Sequence, residues 1–437
     1  MKKSFVIMSF LLVSAVASAQ GVWNFQQCIS HALEHNITLK QRENVCRQQE
    51  LNLSSARNSR LPDLNGGVSE GFSFGRSLTS QNTYTNTNTN STGFQLSTSV
   101  PLLTGNRIPN TIKLNQLNLE ASSADLEKAR NDIKVQIAQQ YIQIVYDMEI
   151  LQVANRQVSI DSMQCVRLEE FVKNGKASIA ELSQHKASLA QSRLTATQAH
   201  NSLQLALLTL TQLLELPSPE GFSVIPPKAT YSDKAVPSAD VIYADAVTFK
   251  PEIQAEQLRL KASDKSLLIA KSALYPTLSL SGGLGTNYYN TSGYMQDGFG
   301  KQLKNNFSQS IGISLNVPIF NRMQTRNSIR SAQIDRQNQE LTLDNAKKSL
   351  YKEIQQVYYN TIAAESKYKS SLQAEKSSND AFELTKAKYE NGKATMTEFN
   401  ESKNQLMKAQ SDMAQARYEL VYQQALIEFY QKGTISM

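Results

Sequence analysis

The chain has 437 residues, with 45 Lys and Arg against 38 Asp and Glu for a formal charge of +7, and 40% hydrophobic residues. The basic excess is spread along the chain and no basic cluster interleaves with aromatics, which argues against a nucleic-acid binder. Three cysteines, Cys28, Cys46 and Cys165, leave at least one unpaired, so no disulfide framework is expected and the thiols read as small buried hydrophobes.

Residues 1–19 read as a secretory signal: Lys2 and Lys3 give the charged start, residues 5–16 the apolar run, and Ala17-Ser18-Ala19 the cleavage site, placing the mature start at Gln20. No cysteine follows that site, which argues against a lipid-anchored N-terminus. Beyond it no stretch approaches the roughly 20 consecutive apolar residues of a membrane helix.

Helical signals over residues 24–60 stop at Leu61-Pro62, where the proline ends the helix. The period then changes. Leu64, Gly66, Val68, Phe72 and Phe74 alternate with small or polar residues, broken only by Glu70, and predict a strand of about 10 to 12 residues. The Thr/Asn-rich run 79–92 reads as a long exposed loop. Phe94, Leu96, Thr98 and Val100 form a second alternating run, completing a β-hairpin at about 63–101. No proline or glycine interrupts residues 110–174, so a helix of about 65 residues would reach roughly 95 Å. It turns at Asn174-Gly175, and a returning helix runs to the residues before Pro217-Ser218-Pro219.

The chain is written twice. Val172-Lys173-Asn174-Gly175-Lys176-Ala177 returns as Tyr389-Glu390-Asn391-Gly392-Lys393-Ala394. Arg60-Leu61-Pro62 answers to Leu274-Tyr275-Pro276, and Ser99-Val100-Pro101-Leu102 to Asn316-Val317-Pro318-Ile319. The offset is nearly constant and far too long for a solenoid repeat. The expected organisation is a first repeat over 20–217, a linker over 218–238 and a second repeat over 239–437. The second repeat holds a hairpin at about 277–318, with residues 289–306 as its loop, and a helical turn at 391–392.

Ile133, Ile137, Ile144, Met148 and Leu151 lie on one apolar stripe and Val135, Ala138, Ile142 and Val145 on an adjacent one, so each long helix has two neighbours. That arrangement suits a cylinder of helices with a polar inner wall. The strands, apolar on one face and Ser/Asn/Gly on the other, match the membrane-barrel pattern. Four strands cannot close a barrel, and open edges in lipid would leave backbone groups unsatisfied, so the chain must oligomerise; three copies give twelve strands.

These features, with the starts Ala32-Leu33-Glu34-His35-Asn36 and Ala246-Val247-Thr248-Phe249-Lys250-Pro251, resemble the TolC-type outer membrane efflux proteins. The resemblance implies a trimeric α-helical barrel of long helical hairpins, joined to a 12-stranded transmembrane β-barrel and reaching from the outer membrane into the periplasm. It implies adaptor-docking tips at Asn174, Gly175, Lys176, Ala177 and Asn391, Gly392, Lys393, Ala394, where a periplasmic adaptor protein would connect to an inner-membrane transporter. It also implies a periplasmic aperture: Tyr389 matches the gating tyrosine, Glu398 and Glu401 the acidic ring positions, and Glu181 the equivalent place after the first turn. Ala394, with Lys393 beside it, stands where the family's arginine is expected, so a differently wired latch is implied. The plain alternative for Glu398, Glu401 and Lys403 is solvated surface charge.

No enzyme, cofactor or metal constellation is expected. His31 and His35 are four apart on a helix without a third ligand, and His185 and His200 stand alone. The expected function is passive export of small amphiphiles and drugs. Two alternatives are a type I protein secretion channel and a periplasmic coiled-coil scaffold without a pore.

Overall fold

The computed structural model describes residues 21–78, 82–227 and 236–435; the expected signal at 1–19 lies outside them. In chain order come β1 (Val22–Trp23), α1 (Phe25–His35), α2 (Ile37–Asn58), β2 (Asn65–Leu78), β3 (Tyr84–Leu103), α3 (Arg107–Lys173) and α4 (Ile179–Leu213). Then follow β4 (Ser223–Val224), α5 (Ala239–Phe249), α6 (Pro251–Ser272), β5 (Thr277–Thr291), α7 (Phe299–Asn305), β6 (Ser308–Asn316), α8 (Gln324–Glu390) and α9 (Met396–Lys432). Helices α3 and α8 have 67 residues each, about 100 Å at 1.5 Å per residue. Even so, no helix among the described residues is long and apolar enough to cross a membrane.

The chain divides into two compact units. The first takes residues up to 43, 125–253 and 346–437. Its core joins Phe25, Cys28 and Ile29 of α1 to Ile137, Tyr141 and Ile144 of α3, Leu210 of α4 and Phe429 of α9. Both apolar stripes of α3 are used: Ile133, Ile137 and Ile144 are buried from one, and Ala138, Ile142 and Val145 from the other. A helix with two buried stripes has neighbours on two sides. Tyr141 donates to the carbonyl of Ile225, which fixes the chain just beyond the parallel β1–β4 pair. Asn36 separates α1 from α2: its amide donates to the Leu213 carbonyl at 3.0 Å, while its Oδ1 accepts from the Thr38 backbone at 2.9 Å. That acceptor satisfies a donor at the start of α2 that has no intrahelical partner.

Both long helices end the same way. The N–H of Gly392 donates to Tyr389 O at 3.0 Å and that of Lys393 to Lys388 O at 2.8 Å, and the same pair of bonds recurs at Gly175 and Lys176. These are Schellman turns, which need a left-handed residue after the helix. Gly175 and Gly392 both supply it, at φ +71°.

The second unit takes residues 44–124 and 254–345 and contains the sheet, a four-stranded antiparallel array in the order β2-β3-β5-β6. Its register sorts the side chains. Val68, Phe72 and Phe74 share a face with Phe94, Leu96, Leu280, Leu284, Ile311 and Ile313. The other face carries Ser69, Ser73, Gln95, Ser97, Ser281, Ser310 and Ser314. The apolar face is bare: Val68 is 72% exposed, Phe74 76% and Ile311 86%. Glu70 is the break in its alternation, and its carboxylate accepts at 2.6 Å from the hydroxyl of Thr92 directly across the strand.

Two sequence expectations need correction here. The Thr/Asn run read as loop is strand from Tyr84 onward, in register with β2, while residues 79–81 lie outside the described residues. Threonine is a good strand former, and a strand with one polar face needs no apolar run. The segment 289–306, expected as loop, is structured at both ends: β5 continues to Thr291, and α7 occupies Phe299–Asn305.

Candidate aperture at the helical tips

The Schellman turns bring the ends of α3 and α8 next to the starts of α4 and α9, within the first unit. Each returning helix is capped by its own sequence. Ser178 accepts from the Glu181 backbone at 3.1 Å. Thr395 accepts from the Glu398 backbone at 3.2 Å, and the Glu398 carboxylate returns to the Thr395 N–H at 2.6 Å and its hydroxyl at 2.9 Å. This reciprocal box satisfies two otherwise orphaned donors. The same bonds from Thr395 hold the Glu398 carboxyl below the usual carboxylate range. Glu398 therefore carries its charge at a helix start, while Glu401, one turn on, is exposed.

Tyr389 sits in the last turn of α8, stacked on Phe399 of α9 at 4.9 Å between ring centroids. Phe399 is fully buried and also meets Phe382 at 5.7 Å. The Tyr389 hydroxyl donates to Glu181 Oε1 at 3.4 Å and lies 3.0 Å from His185 Nε2. Burial, then the Glu181 charge, pushes the Tyr389 phenol up to about 12, so it remains a neutral donor. Sequence-predicted Tyr389 and Glu181 thus come together, whereas Glu398 is engaged at its own cap. Lys393, Lys176, Asn174, Gly175, Asn391 and Gly392 are exposed on the turns, and Ala177 and Ala394 are half-buried.

His185, Lys403, Asp161 and Arg167, none of which the sequence assigned a partner, complete the arrangement. His185 is 1% exposed and its Nδ1 has no hydrogen-bond partner. Burial lowers its pKa; Lys403 adds to the effect, while Glu181 and Asp161 oppose it. Lys403 is not solvated surface charge: its Nζ meets Asp161 Oδ1 at 2.6 Å, with both side chains buried. Ser188 accepts from the same Nζ at 3.1 Å, Gln157 donates to Asp161 Oδ2 at 3.2 Å, and Ser192 donates to it as well. A cleft of about 200 Å³ opens beside the pair, lined by Gln157, Ser192, Asn400, Asn404 and Met407 among others. Finally, Arg167 of α3 donates to the Glu390 carbonyl at 3.2 Å, across the C-terminal end of α8 where a cation complements the helix dipole.

A signal for the buried charges was present. Phe399, Lys403 and Leu406 are spaced as inward positions of a heptad, as are His185, Ser192 and Ala199 on α4. A lysine or histidine on an inward stripe has to find partners inside the bundle. The resulting network of neutral donor, carboxylates and buried pair can lock the tips. Among the described residues no group of His, Cys, Asp and Glu is placed to hold a metal ion.

Comparison with known proteins agrees with this architecture. The chain is 20% identical over 307 residues to the probable outer membrane lipoprotein SilC of Salmonella typhimurium, covering 67% of this chain and 62% of SilC. It is 23% identical over 320 residues to the pyoverdine export outer membrane protein OpmQ of Pseudomonas putida, covering 72% of this chain and 64% of OpmQ. The chain thus spans less than two thirds of the length of these two relatives. The fold matches that of the CmeC outer membrane channel of Campylobacter jejuni with a TM-score of 0.77 at 18% identity, over 94% of this chain and 86% of CmeC. The profile of the outer membrane efflux protein family matches twice, over residues 28–215 and 242–431. The chain is therefore an outer-membrane protein belonging to the outer membrane efflux protein family.

Proposed function

We propose that this protein is a passive conduit across the outer membrane and periplasm, assembled as a homotrimer and fed by an inner-membrane transporter through a periplasmic adaptor. The observation that carries the reading is the sheet. It exposes an apolar face suited to lipid and a polar face suited to water, and it ends in two edges, β2 and β6, with no strand partner among the described residues. Open edges in hydrocarbon cost several kcal/mol per unsatisfied group, so the edges have to meet those of other copies. Adjacent strands are antiparallel throughout, which lets β6 of one copy pair with β2 of the next.

Twelve strands from three copies would enclose a lumen wide enough for small amphiphiles and drugs. In this reading the exposed turns, Asn174 to Ala177 and Asn391 to Ala394, dock the adaptor. Tyr389, Glu181, Glu398, Glu401 and Lys393 form the periplasmic aperture. The test is the native mass of the protein extracted from outer membranes, corrected for bound detergent. A trimer supports the conduit; a monomer, or release without detergent, refutes it.

A further inference from the structure

Strand β6 pairs with β5 only from Thr277 to Gly285, so above Gly285 β5 keeps β3 on one side but has no described strand on its β6 side. Its backbone is satisfied in another way. The Gln302 carboxamide of α7 accepts from the Tyr289 N–H and donates to the Tyr289 carbonyl, both at 2.9 Å, reproducing the two bonds a strand residue would make. Asn306 donates to the Asn287 carbonyl at 2.8 Å, and Gln296 accepts from the Thr291 N–H at 3.2 Å. Asn287, Tyr289 and Thr291 are alternate residues, the set whose backbone groups point to one side of a strand. Three side-chain amides thus replace a ladder. Phe299 packs α7 against the sheet, 5.1 Å from Tyr288 and 6.4 Å from Phe94. Gln302 is buried, whereas Lys301, Lys304 and Asn305 face away.

A mismatch follows at the edges. β2 has 14 residues and β6 has nine, so a β6–β2 ladder between copies leaves at least five residues of β2 without a strand partner. In an antiparallel pairing, the N-terminal end of β6 lies beside the C-terminal end of β2. The segment that runs into that end of β6 is α7. Resting on the trimeric reading above, we propose that α7 of each copy seals the seam against the C-terminal end of β2 in the neighbouring copy, residues 74–78. Phe74 is 76% exposed and Leu78 53%, matching Phe299 on the helix at 48%. The barrel wall is then closed by strand ladders at one end and by three short helices at the other. This shields an edge that would otherwise recruit stray strands.

The test is site-specific photocrosslinking in the full-length protein in outer membranes. A benzophenone amino acid replaces Lys304 in one variant (Lys304→benzoylphenylalanine) and Ser310 of β6 in a second (Ser310→benzoylphenylalanine). The expected result is inter-copy crosslinking from both, with position 304 captured on a peptide containing residues 74–78. Inter-copy crosslinks from position 310, with position 304 captured only within its own chain or on lipid, would overturn the seam and leave the trimer standing. No inter-copy product from either, together with a monomeric native mass, would refute the trimer and the seam with it.

Discussion

The imidazole of His185 and the phenol of Tyr389 lie 3.0 Å apart although their positions in the chain are more than two hundred residues apart, one from each copy of the internal repeat. The bond therefore ties the first helical hairpin to the second at their tips. Removing only the hydroxyl, with Tyr389→Phe, keeps the stacking on Phe399 and leaves Glu181 and His185 without their shared partner. The cost is about 1–2 kcal/mol of local stability. In planar bilayers we expect a higher basal conductance than wild type at neutral pH; an unchanged conductance would remove Tyr389 from the aperture.

Acid should loosen the same contact. The folded-state pKa of His185 lies below its ordinary 6.5, chiefly through burial. Between the two values the unfolded chain binds more protons than the folded one, so stability is full above about 6.5 and declines as pH falls below it. The groups facing the ring are Tyr389, Glu181, Asp161 and Lys403. Amide hydrogen exchange at the tips should accelerate on moving from pH 7.5 to 5.5, beyond the intrinsic pH effect. His185→Gln should abolish that excess. Equal acceleration in both proteins would place the acid response elsewhere.

The Lys403–Asp161 pair is buried on both sides, so breaking it by halves is costly. Lys403→Met leaves an uncompensated carboxylate among Gln157 and Ser192, at about 3–5 kcal/mol. Adding Asp161→Leu removes the stranded charge, and thermal melts of the detergent-extracted protein should recover much of the loss. A double variant no more stable than the single one would show that packing, not charge, holds this layer.

Glu398 and Glu401 separate structure from conduction. Glutamine serves in a capping box, so Glu398→Gln should cost less than about 1 kcal/mol in stability. If the two carboxylates form acidic rings, Glu398→Gln with Glu401→Gln lowers cation selectivity and relieves block by multivalent cations. Unchanged selectivity would reduce Glu398 to a helix cap and Glu401 to surface charge.

The elements built on long uniform patterns were legible in the sequence: the helical hairpins from uninterrupted stretches ending at Asn-Gly, and the strands from their period of two. What escaped was set by partners distant in sequence. Lys403 looked like surface charge and Asp161 drew no attention, because each, taken alone, is an ordinary polar residue; only the packing of α3, α4 and α9 brings them together. The Thr/Asn run of β3 was missed because a strand with a wet face carries no apolar signal. The role of α7 depends on the amides of Gln296, Gln302 and Asn306 meeting a strand edge, which no local pattern encodes.

The polar face of the sheet holds mainly Ser, Thr, Asn, Gln and Gly, with Pro101 and Tyr289 besides, and none of its described strand residues is an acid or a base. In the channel proposed here, a permeating ion meets no fixed charge along that wall, so neither sign is enriched or repelled there. On that reading the strand wall is sign-blind: anionic, cationic and zwitterionic cargo would meet no fixed charge on it. In that channel, any preference among cargoes by charge would come from titratable groups outside this wall.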